Sequence, residues 1–126
     1  MHVFVTDDFD DFMRLAGLSD QEIWKAALEV EAGLYEANLG GVLKKRLASR
    51  GMSKRDANRS IVAFRAGDSL FFIDGWRKCD VPKTGKEIPD RLLETYRLLG
   101  QSFLAANAEQ RSIDIKRGLL REVKDE

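Results

Sequence analysis

The order of apolar and polar positions predicts a strand followed by two helices in the first third of the chain. Val3 to Val5 is a short apolar run containing β-branched residues, which is typical of a strand. Thr6, followed by Asp7 and Asp8, fits an N-cap with acidic residues in the first helical turn. The helix that begins there has apolar positions three and four residues apart, and we expect it to end at Gly17. Ser19 and Glu22 form the pattern of a capping box. The second helix that they begin has an apolar stripe reaching to about Ala37.

A third region, Val42 to Ala48, has the alternation of a strand. Leu43 and Leu47 then share one face, while Lys44 and Arg46 share the other, because successive side chains of a strand point to opposite sides. The pattern therefore predicts two cations projecting together from one face of a sheet.

The middle of the chain predicts a basic loop and a β-hairpin. Residues 49–58 have few apolar side chains and no periodicity, which favours a loop. Ser60 to Arg65 and Ser69 to Ile73 are rich in β-forming residues and are joined by a short connection at Gly67. We expect the second strand to continue to Lys78.

The last third predicts one longer helix and two short elements. Pro89 suits the first position of a helix whose apolar face comprises Leu92, Leu93, Tyr96, Leu99 and Phe103. Residues 108–117 fit a short helix and residues 119–123 a terminal strand. The order predicts an α+β fold, in which two N-terminal helices and a later helix pack on a small, mainly antiparallel sheet. We expect a single domain over residues 1–126, with residues 108–126 as a C-terminal extension.

Length and composition restrict the class of protein. A chain of 126 residues with 44% hydrophobic residues suffices for one packed core. It has no run of 18 apolar residues and no basic-then-apolar N-terminus, so we expect a cytoplasmic protein without a membrane span. Cys79 and His2 are the only residues of their types, which excludes an internal disulfide and disfavours a metal site. No cofactor is indicated.

The net charge of zero conceals a division into acidic and basic segments. Residues 1–41 contain two Lys/Arg against nine Asp/Glu, a net charge of −7, whereas residues 42–80 contain ten against four, a net charge of +6. The remaining residues contain nine against eight, a net charge of +1. A local basic segment can hold a phosphate backbone, because screening over about 10 Å makes the local field matter more than the total charge. A solvated charged face is the alternative interpretation.

Several common catalytic constellations do not fit the sequence. A Ser-His-Asp or Cys-His arrangement needs a histidine in the body of the fold, and His2 lies at the N-terminus. Gly40 and Gly41 follow a predicted helix and precede a strand, the reverse of a phosphate-binding glycine loop. What remains is a set of cations along neighbouring strands, which suits RNA: Lys44, Arg46, Arg59, Arg65, Arg77 and Lys78.

Such cations can assist RNA cleavage by attack of its own 2′-OH. The reaction needs removal of a proton, stabilisation of the phosphorane and help for the leaving 5′-oxygen. Either Lys44 or Lys78 can serve as base or acid, because neighbouring cations favour the neutral form of a lysine, whereas an arginine stays charged and only binds phosphate.

Three segments together resemble the RelE/ParE toxin superfamily, and within it the HigB-like branch. They are Gly-Gly-Val-Leu-Lys-Lys-Arg from Gly40, Asn-Arg-Ser-Ile-Val-Ala-Phe-Arg-Ala-Gly-Asp from Asn58, and Phe-Phe-Ile-Asp-Gly-Trp-Arg-Lys from Phe71. The resemblance extends from about Val3 to Leu104. It implies a toxin of a type II toxin-antitoxin pair in a bacterial cell, and many members cleave mRNA in the ribosomal decoding site.

The resemblance also implies functional residues and partners. Basic residues on the central strands hold and cleave RNA in this family, which assigns catalytic roles to Lys44, Arg46, Arg59 and Lys78. RNA-binding roles are expected for Lys45, Arg50, Lys54, Arg55, Arg65, Trp76 and Arg77. The expected partners are the ribosome, mRNA and a cognate antitoxin, often a helix-turn-helix DNA-binding protein.

One departure from the family pattern keeps two alternatives open. The catalytic aromatic residue that some members carry after the last strand has no counterpart between Cys79 and Glu87, although Trp76 can replace its stacking role. A ParE-like toxin that binds DNA gyrase shares the fold and needs no catalytic cations. An inactive member that only binds its antitoxin is the other alternative.

Overall fold

The computed structural model describes residues 1–48 and 58–125. Within those ranges the chain forms six strands, four helices and a short 3-10 turn at Lys78–Asp80. The strands are β1 (His2–Thr6), β2 (Ala37–Asn38), β3 (Leu43–Leu47), β4 (Asn58–Arg65), β5 (Ser69–Trp76) and β6 (Leu120–Val123). The helices are α1 (Asp7–Ala16), α2 (Asp20–Glu31), α3 (Asp90–Ala105) and α4 (Ala108–Lys116).

The strands form one sheet with helices on both faces. Its order is β2-β3-β4-β5-β1-β6, and every neighbouring pair is antiparallel except β1 and β5. One core lies between the sheet and α1 and α2, and a second core lies on the other face, where α3 packs. The α+β fold predicted from the sequence is confirmed.

The first two helices begin as the capping patterns predict. The Thr6 hydroxyl accepts a hydrogen bond from the backbone N–H of Phe9 at 3.0 Å, and α1 ends at Gly17 with a φ of 67°. Ser19 and Glu22 form both hydrogen bonds of the capping box at the start of α2. These local hydrogen bonds fix the residues at which both helices begin.

The predicted end of the second helix near Ala37 is wrong. Helix α2 ends at Glu31, and Gly33 follows with a φ of 87°, a left-handed conformation that ends a helix. Leu34 continues the apolar spacing of α2 but is 59% exposed. Ala37 instead belongs to β2 and pairs with Lys44 of β3. A glycine that ends a helix thus overrides an apolar period that continues past it.

The apolar face predicted for α3 is partly wrong. Leu92 and Leu99 are 41% and 39% exposed, whereas Tyr96 and Gly100 are buried against the sheet. A Cβ atom at Gly100 would lie 3.0 Å from Val42 Cγ1, so the missing side chain allows α3 to approach the sheet closely. The buried stripe is therefore centred on Gly100, which an apolar pattern does not register.

A bulge in the central hairpin changes which side chains of β5 face α3. Ile61 pairs with Asp74 and Val62 pairs with Phe72, so Ile73 is an extra residue in β5. Strict alternation from Phe71 would place Gly75 on the α3 face. With the bulge, Asp74 and Trp76 lie there instead, and a Cβ atom at Gly75 would meet the Phe12 ring of α1 on the opposite face at 2.4 Å.

The C-terminal elements extend the sheet. Helix α4 and strand β6 lie within one residue of their predicted positions, and β6 pairs with β1 at the sheet edge. Arg121 of β6 binds Asp10 of α1 at 3.0 Å and Asp20 of α2 at 2.8 Å. One guanidinium therefore connects the last strand to both N-terminal helices. No helix in the described residues is long and apolar enough to span a membrane.

Replacing Arg121 with Met should lower stability in a pH-dependent way. Its hydrogen bond lowers the pKa of Asp20, so the stabilisation is complete above the unfolded value of about 3.9 and is lost as pH falls through the folded pKa. We expect a loss of about 1 kcal/mol at neutral pH in urea unfolding, since the pairs are partly exposed. Lys86→Met, which removes a highly exposed ion pair with Asp90, serves as control. An equal loss at pH 3 and pH 7 would contradict the role given to Asp20.

Lys45 has a structural position beside α2. Its side chain is 7% exposed, and its ammonium donates to the carbonyl oxygen of Leu34 at 2.9 Å and pairs with Glu29 at 3.4 Å. It points away from Lys44 and Arg46, as the alternation of β3 predicts. The ammonium therefore holds the segment after α2 against the sheet.

Lys45→Met should destabilise the fold, because the methionine keeps much of the apolar stem but leaves the Leu34 carbonyl without this donor. We expect a decrease of about 1–2 kcal/mol in the free energy of unfolding. Lys25→Met, at an exposed position of α2, provides the matched control and should change stability little. Equal stability of the two variants in urea unfolding would show that the buried ammonium is not stabilising.

Candidate functional site

Among the described residues, three cations and one aromatic ring lie on the α3 face of the sheet, at one end of its central strands. Lys44 and Arg46 belong to β3, Arg59 to β4 and Trp76 to β5. Arg46 pairs directly with Arg59, and Arg59 pairs directly with Trp76, so these three side chains form a row across the sheet. We call Lys44, Arg46 and Arg59 the cationic cluster.

The cationic cluster ranges from buried to exposed. The side chain of Arg59 is 5% exposed and that of Lys44 is 26% exposed, while Arg46 lies at the surface. Two arginines directly opposite each other on one face repel, so the arrangement favours an anion beside them. A buried guanidinium also needs hydrogen-bond acceptors or a counter-charge.

Glu87 supplies a negative charge to this cluster. Its Oε1 atom accepts a hydrogen bond from Lys44 Nζ at 3.0 Å, and its Oε2 atom lies 3.6 Å from Arg59 Nε. Sequence reasoning did not select Glu87. A signal was present, because Glu87 is the only acidic residue between Asp80 and Asp90, in a segment that follows a strand ending in cations.

Two contacts hold the segment that carries Glu87. Arg77 Nε donates to Asp80 Oδ2 at 2.9 Å, and Ile88 packs against the second core next to Glu87. The segment encloses an open cleft of about 600 Å³ lined by Arg77, Lys78, Cys79, Val81, Pro82, Lys83 and Glu87. A cleft of this size that contains three further cations can accommodate part of a polyanion beside the cationic cluster.

A tyrosine fixes the strand that carries Trp76. The hydroxyl of Tyr96 on α3 donates to Asp74 Oδ2 at 2.5 Å. Burial and the Asp74 carboxylate raise the pKa of Tyr96 well above its usual range, so the phenol remains neutral. Trp76 is partly buried, and among the described residues its buried Nε1 atom has no acceptor. Its ring lies beside Arg59, where an unstacked base can contact it.

The remaining predicted site residues are distributed more widely. Lys45 lies on the opposite face of the sheet, and Arg65 lies six residues beyond Arg59 along β4, about 20 Å away at the rise of a strand. Arg77 and Lys78 line the cleft next to the cluster. Arg50, Lys54 and Arg55, with most of the predicted basic loop, lie outside the described residues.

The arrangement can bind and polarise a phosphodiester. A guanidinium fixed by its neighbours and an adjacent ammonium can contact non-bridging phosphate oxygens and stabilise the charge that develops during transfer. The carboxylate of Glu87 can accept a proton at the same place. The site thus combines cations that can bind phosphate, a ring that can stack on a base and a carboxylate that can accept a proton.

The comparison with known families agrees with this architecture. A family model described as the RelE toxin of the RelE/RelB toxin-antitoxin system matches residues 1–123. No curated protein matches the chain. The match covers every helix and strand described above. The chain therefore belongs to the RelE toxin family.

Proposed function

We propose that this toxin is a HigB-like, ribosome-dependent endoribonuclease that cleaves mRNA in the cytoplasm and thereby inhibits translation. The observation that carries the proposal is the row formed by Arg46, Arg59 and Trp76, with Lys44 next to it. Cations that converge on one buried position suit a scissile phosphate better than a diffuse basic surface does.

Each residue of the site has a separate role in such a reaction. Arg59 holds a permanent charge in a nearly buried position, so it is the main contact for the phosphate and for the phosphorane oxygens. Arg46 is exposed and can contact the neighbouring phosphate. Trp76 provides a ring on which a base can stack, in place of the aromatic residue absent between Cys79 and Glu87. The ribosome fixes the conformation of the mRNA, which lowers the entropic barrier to attack.

Membership of the toxin family gives this protein an antitoxin as its partner. We propose that the antitoxin is a helix-turn-helix DNA-binding protein that neutralises the toxin and represses the shared operon in a bacterial host. We further propose that residues 1–126 act as one domain. Pairing of β6 with β1 supports this, because it joins the C-terminal extension to the sheet that carries the site.

Expression of the chain alone in a bacterial host should arrest growth and create new mRNA 5′ ends within translated regions. Arg59→Ala should reduce cleavage about 100-fold or more, because it removes a fixed donor to the developing charge. Arg59→Lys should restore only part of the activity, because an ammonium lacks the planar fork of a guanidinium. Mapping transcript 5′ ends and measuring growth provide the two readouts.

Arg65→Ala is the matched control, since it removes an arginine from the other end of the same strand. Its placement predicts a much smaller effect than that of Arg59→Ala. Each variant must keep the circular dichroism spectrum of the wild type and must still bind the antitoxin. Growth arrest with DNA damage and no new 5′ ends would favour the gyrase-binding alternative, and no arrest would indicate an inactive member.

A further inference from the structure

We infer that Glu87 is the general base of the cleavage reaction and removes the proton from the attacking 2′-OH; this inference rests on the proposed ribonuclease function. The carboxylate contacts both cations that are placed to bind the scissile phosphate, Lys44 at 3.0 Å and Arg59 at 3.6 Å. It is 27% exposed, so RNA can reach it from the cleft.

Three other candidate bases, His2, Asp74 and Lys44, are each engaged in another contact. His2 lies on β1, three strands away from β3, and its ring contacts Glu122 at 3.0 Å. The carboxylate of Asp74 already accepts a hydrogen bond from the hydroxyl of Tyr96. Lys44 donates a hydrogen bond to Glu87 Oε1 at 3.0 Å, so in this arrangement it is a donor and not a proton acceptor. Within this pair, Glu87 is the proton acceptor and Lys44 is the group that binds phosphate.

The connectivity of RNA places the 2′-OH beside the phosphate that the cations hold. The attacking oxygen is joined to the phosphorus through two ribose carbons and the 3′-oxygen, and it lies about 3–3.5 Å from the phosphorus in a near-attack geometry. A phosphate bound through Lys44 and Arg59 therefore brings its own 2′-OH to the neighbourhood of the Glu87 carboxylate. The base must lie within hydrogen-bond reach of that proton, directly or through one water.

The proposed step balances without a metal or a cofactor. The 2′-O–P bond forms as the 2′-OH proton passes to Glu87, and the P–O5′ bond breaks as the 5′-oxygen takes a proton from the Lys78 ammonium or from water. The products are a 2′,3′-cyclic phosphate and a free 5′-OH. Solvent then removes the proton from Glu87 and restores the proton donor. Lys78 lines the same cleft as Glu87, which places both groups next to the RNA.

The charged groups around Glu87 come from several elements. The carboxylates of Asp74 and Asp80 line a smaller cleft together with Glu87, and they accept hydrogen bonds from Tyr96 and Arg77. The cations are Lys44 on β3, Arg59 on β4, and Arg77, Lys78 and Lys83 of the larger cleft. In the proposed reaction these cations bind the phosphate next to Glu87. A carboxylate that merely neutralised these cations would compete with RNA, so its removal would increase RNA binding and cleavage. Removal of the carboxylate therefore slows cleavage if Glu87 is the general base and speeds it if Glu87 only neutralises the cations.

The test compares purified wild-type toxin with Glu87→Gln and Glu87→Asp on translating ribosomes that carry a defined mRNA. Single-turnover cleavage is measured for each variant. Glutamine keeps the shape of the side chain but cannot accept the proton, so we expect a decrease of about 10²–10⁴-fold. Aspartate keeps the carboxylate and should retain measurable activity. Asp90→Asn removes a nearby exposed carboxylate and serves as the matched control.

The role of Glu87 as general base is supported if the wild type cleaves mRNA and both Arg59→Ala and Glu87→Gln abolish cleavage. Both variants must unfold at the same temperature as the wild type. Glu87→Gln activity equal to or above that of the wild type, with Arg59→Ala inactive, overturns the role of Glu87 and leaves the ribonuclease function intact. Absence of cleavage by the wild type overturns the ribonuclease function and this inference with it.

Discussion

The register of β3, β4 and β5 is the constraint on which the rest of the site depends. Arg46, Arg59 and Trp76 form a row only because the two antiparallel pairings bring them directly opposite one another. The bulge at Ile73 is part of that constraint, since it returns Trp76 to the face that carries the cations. A slip of one residue in either pairing would move a side chain of the row to the opposite face.

Side-chain alternation made the central features predictable from the sequence. The prediction that Lys44 and Arg46 share a face opposite to Leu43 and Leu47 is confirmed, because it depends only on the two-residue period of a strand. The caps at Thr6 and Ser19 were equally predictable, because each is a contact between residues three positions apart.

Features that depend on distant parts of the chain were not predictable in this way. The contact of Glu87 with Lys44 joins residues 43 positions apart and depends on how an irregular segment crosses the sheet. The exposed positions of Leu92 and Leu99 follow from the close approach of α3 at Gly100, which is set by tertiary packing. Local patterns report local contacts, and a site built from three strands and a connecting segment also needs the topology.

The two lysines of β3 show how one strand serves both stability and chemistry. Lys45 lies towards α2 and has a backbone acceptor and a carboxylate, so its charge is satisfied within the fold. Lys44 lies towards the cleft and shares the carboxylate of Glu87 with Arg59, so one acidic group contacts two cations. The strand register places Arg46 directly opposite Arg59 on the same face, which concentrates positive charge there. Under the proposed function, this concentration of charge attracts the phosphates of RNA, whereas Lys45 on the other face stabilises the fold.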